Sequence, residues 1–88
     1  MKYKVETRVF ECIDTYPGSL NIGDKVEADI CSPDEDYDYY FKDYETSFVK
    51  YFPKEYVENY PRFFKEVERY VEYWNEANKE FVKIKKEI

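Results

Sequence analysis

From Arg62 to Ile88 neither proline nor glycine interrupts the chain, and this unbroken run constrains the fold more than any other feature. Apolar side chains recur in it at Phe63, Phe64, Val67, Tyr70, Val71, Trp74, Ala77, Phe81, Ile84 and Ile88, mostly three or four residues apart, as on one stripe of a helix. Lys79, Lys83, Lys85 and Lys86 gather toward the end, where cations suit the negative pole of a helix dipole. The run predicts one long C-terminal helix of roughly 40 Å, at about 1.5 Å per residue. Trp74, central in the stripe, is expected to be buried. A helix of that length outreaches a small sheet, so Phe81, Ile84 and Ile88 are expected to meet a bent-back turn, a target protein or a second copy in a homodimer. Asn78 and Lys85 at heptad-like positions disfavour a uniform coiled coil.

Upstream the pattern changes to period two. Tyr3, Val5, Thr7 and Val9 alternate with Lys2, Lys4, Glu6 and Arg8, and then Phe10 and Cys12 take over as the apolar positions. This predicts a strand from Lys2 to Ile13 with a bulge or bend near Val9–Phe10. Tyr16-Pro17-Gly18-Ser19 and Gly23-Asp24 are turn signals, and Lys25–Cys31 alternates as a second strand. The Ile-Gly-Asp turn followed by such a strand resembles the opening of a small bent barrel of the SH3 type. Residues 37–42 and 47–52 read as hairpin arms around Asp43-Tyr44-Glu45-Thr46. Pro53 then starts a short helix over Lys54–Glu58, and Asn59-Tyr60-Pro61 caps the long one. The expected fold is α+β, in a single domain spanning residues 1–88. A bent, mostly antiparallel four-stranded sheet occupies the β-rich part, 1–52, and the two helices occupy 53–88.

Eighty-eight residues leave little stability to spare, and eleven Tyr, seven Phe and one Trp supply area that few aliphatic residues would. The net charge of −6 is localised. Residues 27–45 hold eight acids, Glu27, Asp29, Asp34, Glu35, Asp36, Asp38, Asp43 and Glu45, against Lys42, which gives −7. Tyr37, Tyr39, Tyr40 and Tyr44 are interleaved with them. Such a stretch repels phosphate backbones and attracts a basic protein surface, so these twelve residues are the candidate partner-binding set. The alternative is a solvated hairpin whose acids protect an edge from pairing.

The segment Phe52–Val67, FPKEYVENYPRFFKEV, resembles a stretch found in small uncharacterised proteins of bacteriophages and mobile elements. The similarity extends over roughly residues 20–67, through Ile22-Gly23-Asp24-Lys25-Val26 and Tyr39-Tyr40-Phe41. The resemblance carries no transferable chemistry. It implies a viral or mobile-element accessory protein, for which an acidic Tyr-rich surface suits inhibition of a host nucleic-acid-binding protein, such as a CRISPR effector, by nucleic-acid mimicry.

Catalytic arrangements are absent from the sequence. There is no histidine, and Cys12 and Cys31 read as reduced, half-buried thiols without an activating base. Asp34, Asp36, Asp38 and Glu45 fall at four positions of a calcium loop, but Tyr39 stands where that loop needs glycine. No metal and no cofactor is expected, and the chain is read as a non-enzymatic binding protein of the cytoplasm, with no membrane association. The competing reading is a structural or replication-associated module that oligomerises or binds nucleic acid directly. The acids around the tyrosines weigh against direct nucleic-acid binding.

Overall fold

A computed structural model describes residues 4–15, 20–32, 35–43 and 45–88. Six strands and one short helix follow in chain order: β1 (Lys4–Cys12), β2 (Lys25–Ile30), β3 (Asp38–Asp43), β4 (Phe48–Pro53), α1 (Lys54–Glu58), β5 (Phe64–Asn75) and β6 (Glu80–Lys86). All pairings are antiparallel, in one sheet of order β4-β3-β2-β1-β5-β6. The first four strands form a meander, the helical turn of α1 reverses the chain, and β5 returns beside β1.

The expected α+β fold with a four-stranded sheet and a long C-terminal helix is therefore wrong. The chain is mostly β, with six strands, and the run that reads as a helix is the β5–β6 hairpin. Two periodicities overlap in it. Val67, Val71 and Trp74 fit a helical stripe, but Tyr70, Glu72 and Trp74 alternate with Val71 and Tyr73 just as well. Valine and aromatic residues lose side-chain freedom in a helix and pack well on a pleated surface. A helix would stand alone on its outer face, whereas β5 pairs with β1 from Lys4↔Tyr73 to Cys12↔Phe64. The second helix start also fails: the carbonyl of Tyr60 accepts hydrogen bonds from the Phe63 and Phe64 N–H groups, closing a turn that leads into β5.

Asn75, Asn78 and Lys79 act as turn residues. The Asn75 Oδ1 accepts the backbone N–H of Ala77, and Lys79 takes a left-handed φ of 55° before Glu80 pairs with Asn75. The β3–β4 turn repeats the device. There the Asp43 Oδ1 accepts the Glu45 N–H, Ser47 has φ of 59°, and Phe48 pairs with Asp43.

β1 carries two apolar sets on opposite faces. Val5, Thr7 and Val9 share one face and Phe10 and Cys12 the other, and pairing with β2 runs without a slip from Glu6↔Ile30 to Glu11↔Lys25. The irregularity between Val9 and Phe10 lies in the pairing with β5, where Glu68 faces Val9, Glu66 faces Phe10, and Val67 is the extra residue.

The core lies on the Phe10 face. Phe10, Cys12, Val26, Ala28, Tyr39, Phe52 and Phe64 project from the sheet against Leu20 and Val57, and α1 covers them. Phe10 meets Tyr39 edge-on at 5.3 Å between ring centres. Gly23, at φ 98°, makes the turn into β2 with its N–H bonded to the Cys12 carbonyl. The opposite face has no covering element among the described residues. Trp74 lies there and is 37% exposed, against the expected burial, with Phe81 edge-on beside it at 4.9 Å.

Candidate functional site

Helix α1 is too short to hold itself, so its seat on the sheet is fixed by tertiary contacts. Val57 enters the core, and Glu58 reaches a polar cluster built from three strands and a loop. One oxygen of Glu58, Oε2, accepts from Arg8 Nη1 at 3.1 Å, from the Tyr39 hydroxyl at 2.7 Å and from the Tyr37 hydroxyl. Arg8 turns its other amino group to Glu66 Oε2 at 2.6 Å, and Glu66 also takes Arg69 Nε at 2.6 Å.

Mutual pairing outweighs burial for these charges. Burial alone raises the Glu66 carboxyl, but hydrogen bonds from Arg69 and Arg8 hold it below the ordinary glutamate range. Burial opposes the charge of Arg8, yet Glu66 and Glu58 keep its pKa above the ordinary value. Burial and the bond to the Glu58 carboxylate push Tyr39 and Tyr37 upward. No buried side-chain polar atom among the described residues lacks a partner. The cluster locks α1 onto the sheet.

That lock presents a surface. Pro53 and Tyr56 point outward from the start of α1, and the Tyr56 ring stacks on Tyr60 at 6.1 Å with an interplanar angle of 17°. Both tyrosines are about half exposed, at 50% and 47%. Lys54, on the same helix, reaches the β2–β3 loop. Its Nζ lies 3.6 Å from the Asp36 carboxylate, 3.3 Å from the Glu35 carbonyl and 4.9 Å from the centre of the Tyr37 ring. Glu35 and Asp36 of this loop are exposed, as is Asp38 at the start of β3.

The twelve sequence-predicted residues do not form one patch. Asp34 and Tyr44 lie outside the described residues. Tyr39 is fully buried in the core and Tyr37 is half-buried with its hydroxyl bonded inward, so neither offers a free ring to a partner. Glu35 and Asp36 lie in the loop that Lys54 of α1 contacts, Asp38 opens β3 opposite Pro53 on the same face as Tyr40, and Asp43 and Glu45 sit at the opposite end of β3 in the hairpin turn. Glu27, Asp29 and Tyr40 lie on the uncovered face, where Asp29 accepts the Thr7 hydroxyl at 2.6 Å. Sequence reasoning missed Tyr56 and Tyr60 as surface residues; their four-residue spacing is the one available signal.

On the uncovered face a groove of about 290 Å³ runs over Val9, between Glu27 and Tyr40 on one side and Glu68 and Tyr70 on the other, with Lys25, Lys42 and Lys83 at its rim. Cys12 is buried and donates to the Asp14 carbonyl, while Cys31 is exposed, so the two remain separate thiols. Among the described residues no group of three or more Cys, Asp or Glu side chains is placed to hold a metal ion. No helix among them is long and apolar enough to cross a membrane. Comparison with protein-family models, with curated proteins and with solved structures finds no match.

Proposed function

We propose that this chain is a non-enzymatic protein-binding module that docks a basic surface of a nucleic-acid-binding protein on the Tyr56–Tyr60 platform and the acidic loop beside it. The observation that carries this reading is the juxtaposition itself. Two stacked, half-exposed tyrosines and an exposed proline stand at and beside α1, which the Arg8–Glu58–Glu66 cluster holds in place and whose Lys54 contacts the loop bearing Glu35 and Asp36. Tyrosine rings supply contact area at low entropic cost, and clustered carboxylates steer a basic partner and displace its nucleic acid. The resemblance of residues 20–67 to phage and mobile-element proteins sets this activity in an accessory inhibitor of a host machine such as a CRISPR effector.

A second reading is supported by the groove on the uncovered face. Lys25, Lys42 and Lys83 stand around Tyr40 and Tyr70 there, an arrangement suited to stacking a nucleic-acid base. One experiment separates the two. Host proteins retained by the immobilised chain are identified, and binding of the purified partner is measured against Tyr56→Ala/Tyr60→Ala and against Lys25→Ala/Lys83→Ala. The docking reading expects the tyrosine pair to abolish binding, the lysine pair to leave it intact, and DNA or RNA to compete with the chain for its partner. Loss with the lysine pair, together with direct binding of an oligonucleotide by the chain alone, would establish the second reading instead.

A further inference from the structure

At the far edge of the sheet from β4 and α1, strand β6 presents one side with no strand partner in the described chain. Edge strands ordinarily carry charges that frustrate pairing, and Lys83, Lys85 and Lys86 fit that habit. Their spacing relative to Glu80 and Phe81 is unusual, because it makes the strand complementary to itself. We propose that β6 pairs antiparallel with β6 of a second copy, about a twofold axis at Lys83, to form one continuous sheet across a homodimer.

The register follows from which residues share a face. Glu80, Val82, Ile84 and Lys86 lie on one face of β6, and Phe81, Lys83 and Lys85 on the other. A twofold axis perpendicular to the sheet keeps each face together, so Lys83 meets Lys83 of the second copy. Glu80 then faces Lys86 and Val82 faces Ile84, each twice, while Phe81 faces Lys85. These are an opposite-charge pair, an apolar pair and a cation–aromatic pair, the combinations that stabilise neighbouring strands.

The one unfavourable meeting is relieved within each chain. The Nζ of Lys83 leans over its own Tyr70 ring, 4.9 Å from the centre, on the side of β5 and away from the new edge. Moving the axis to Val82 sets Glu80 against Ile84 and loses both ion pairs. Moving it to Ile84 sets Lys83 against Lys85 and Val82 against Lys86. Only the Lys83 register matches both charge and apolarity.

The pairing also accounts for apolar surface that the monomer leaves open. Ile84 is 41% exposed and lies beside Val71, while Val82 lies beside Tyr73. In the dimer these residues meet their counterparts and form an apolar band across four strands. Phe81, 58% exposed, gains the stem of Lys85 from the second copy.

Sedimentation equilibrium of the whole chain over a concentration series tests the proposal, with three variants alongside. Wild type is expected to show a monomer–dimer equilibrium. Glu80→Lys and Lys86→Glu are each expected to weaken it about tenfold, since each spoils two cross-strand ion pairs. Glu80→Lys/Lys86→Glu is expected to restore it, because the exchange rebuilds both pairs. Trp74 fluorescence, which reports the β5–β6 hairpin, distinguishes weakened pairing from a lost hairpin. A wild type that stays monomeric throughout overturns the proposal, as does a dimer indifferent to the single changes or a double variant no better than the singles.

Discussion

Glu58 is the residue on which the position of α1 depends, and almost nothing in the sequence marks it. Its carboxylate is useful only because Arg8, Tyr37 and Tyr39 arrive beside it from β1, the β2–β3 loop and β3. In β1, Arg8 occupies what reads as the solvent phase of an alternating strand, and the sheet gains its cover on that face only when α1 folds back. Replacing Arg8 with methionine keeps much of the stem and removes the charge that Glu58 and Glu66 share. With both partners left in place, the expected loss is on the order of 2–4 kcal/mol, read from chemical denaturation, below the range for fully buried pairs because Arg8 is partly exposed.

The same cluster sets the pH range of the fold. Glu66 has a folded pKa below its unfolded value, so its contribution is complete above about 4.5 and disappears as pH falls through the lower folded value. Tyr37 and Tyr39 have folded pKa values above about 10, so their contribution is complete below that and disappears as pH rises beyond it. Thermal melts across pH are expected to show a plateau between these limits, with the acid limb shallower in Arg8→Met. A melting temperature indifferent to pH above 10 would mean that the two hydroxyls are neither buried nor held by Glu58.

At the level of elements, the short strands, the turn at Gly23 and the helix Lys54–Glu58 were legible because each is bounded by its own chemistry. Period-two alternation, a glycine with positive φ and a proline before the helix are local signals, and local structure obeys them. The β5–β6 hairpin was not legible because its turn contains neither glycine nor proline. Asn75 and Lys79 do that work with a side-chain cap and a strained φ, as Asp43 and Ser47 do between β3 and β4. Lys79→Gly is therefore expected to stabilise the fold by about 0.5–1 kcal/mol, since glycine adopts that conformation without strain. Asn75→Ala is expected to destabilise it by about 1 kcal/mol through the lost cap. Opposite signs in thermal denaturation check the pair. Trp74→Ala belongs here as well. A core tryptophan would cost about 3–5 kcal/mol. Trp74 packs on Phe81 at an exposed position, so less than about 2 kcal/mol is expected.

On the scale of the whole molecule, the chain measures 46 × 29 × 23 Å, longer than a compact body of this size requires. Its −6 charge is distributed unevenly along the sequence. The concentration of acids in residues 27–45 was plain in the sequence, but their placement was not, because successive strand residues point to opposite faces and β3 carries its two ends apart. What remains together is Glu35 and Asp36 in the loop that Lys54 of α1 contacts, with Asp38 following at the start of β3, while the charge pattern gave no reason to notice Tyr56 and Tyr60. The proposed docking needs those acids to meet a basic partner. Association rates of the captured host partner with wild type and with Glu35→Gln/Asp36→Asn/Asp38→Asn, measured across a salt series, test it most directly. Wild type should associate fastest at low salt and slow steeply as salt screens the attraction over about 8–10 Å, while the variant should be slower and nearly flat. Two superimposable salt series, with both proteins folded, would contradict the account and leave the acids as solvation alone.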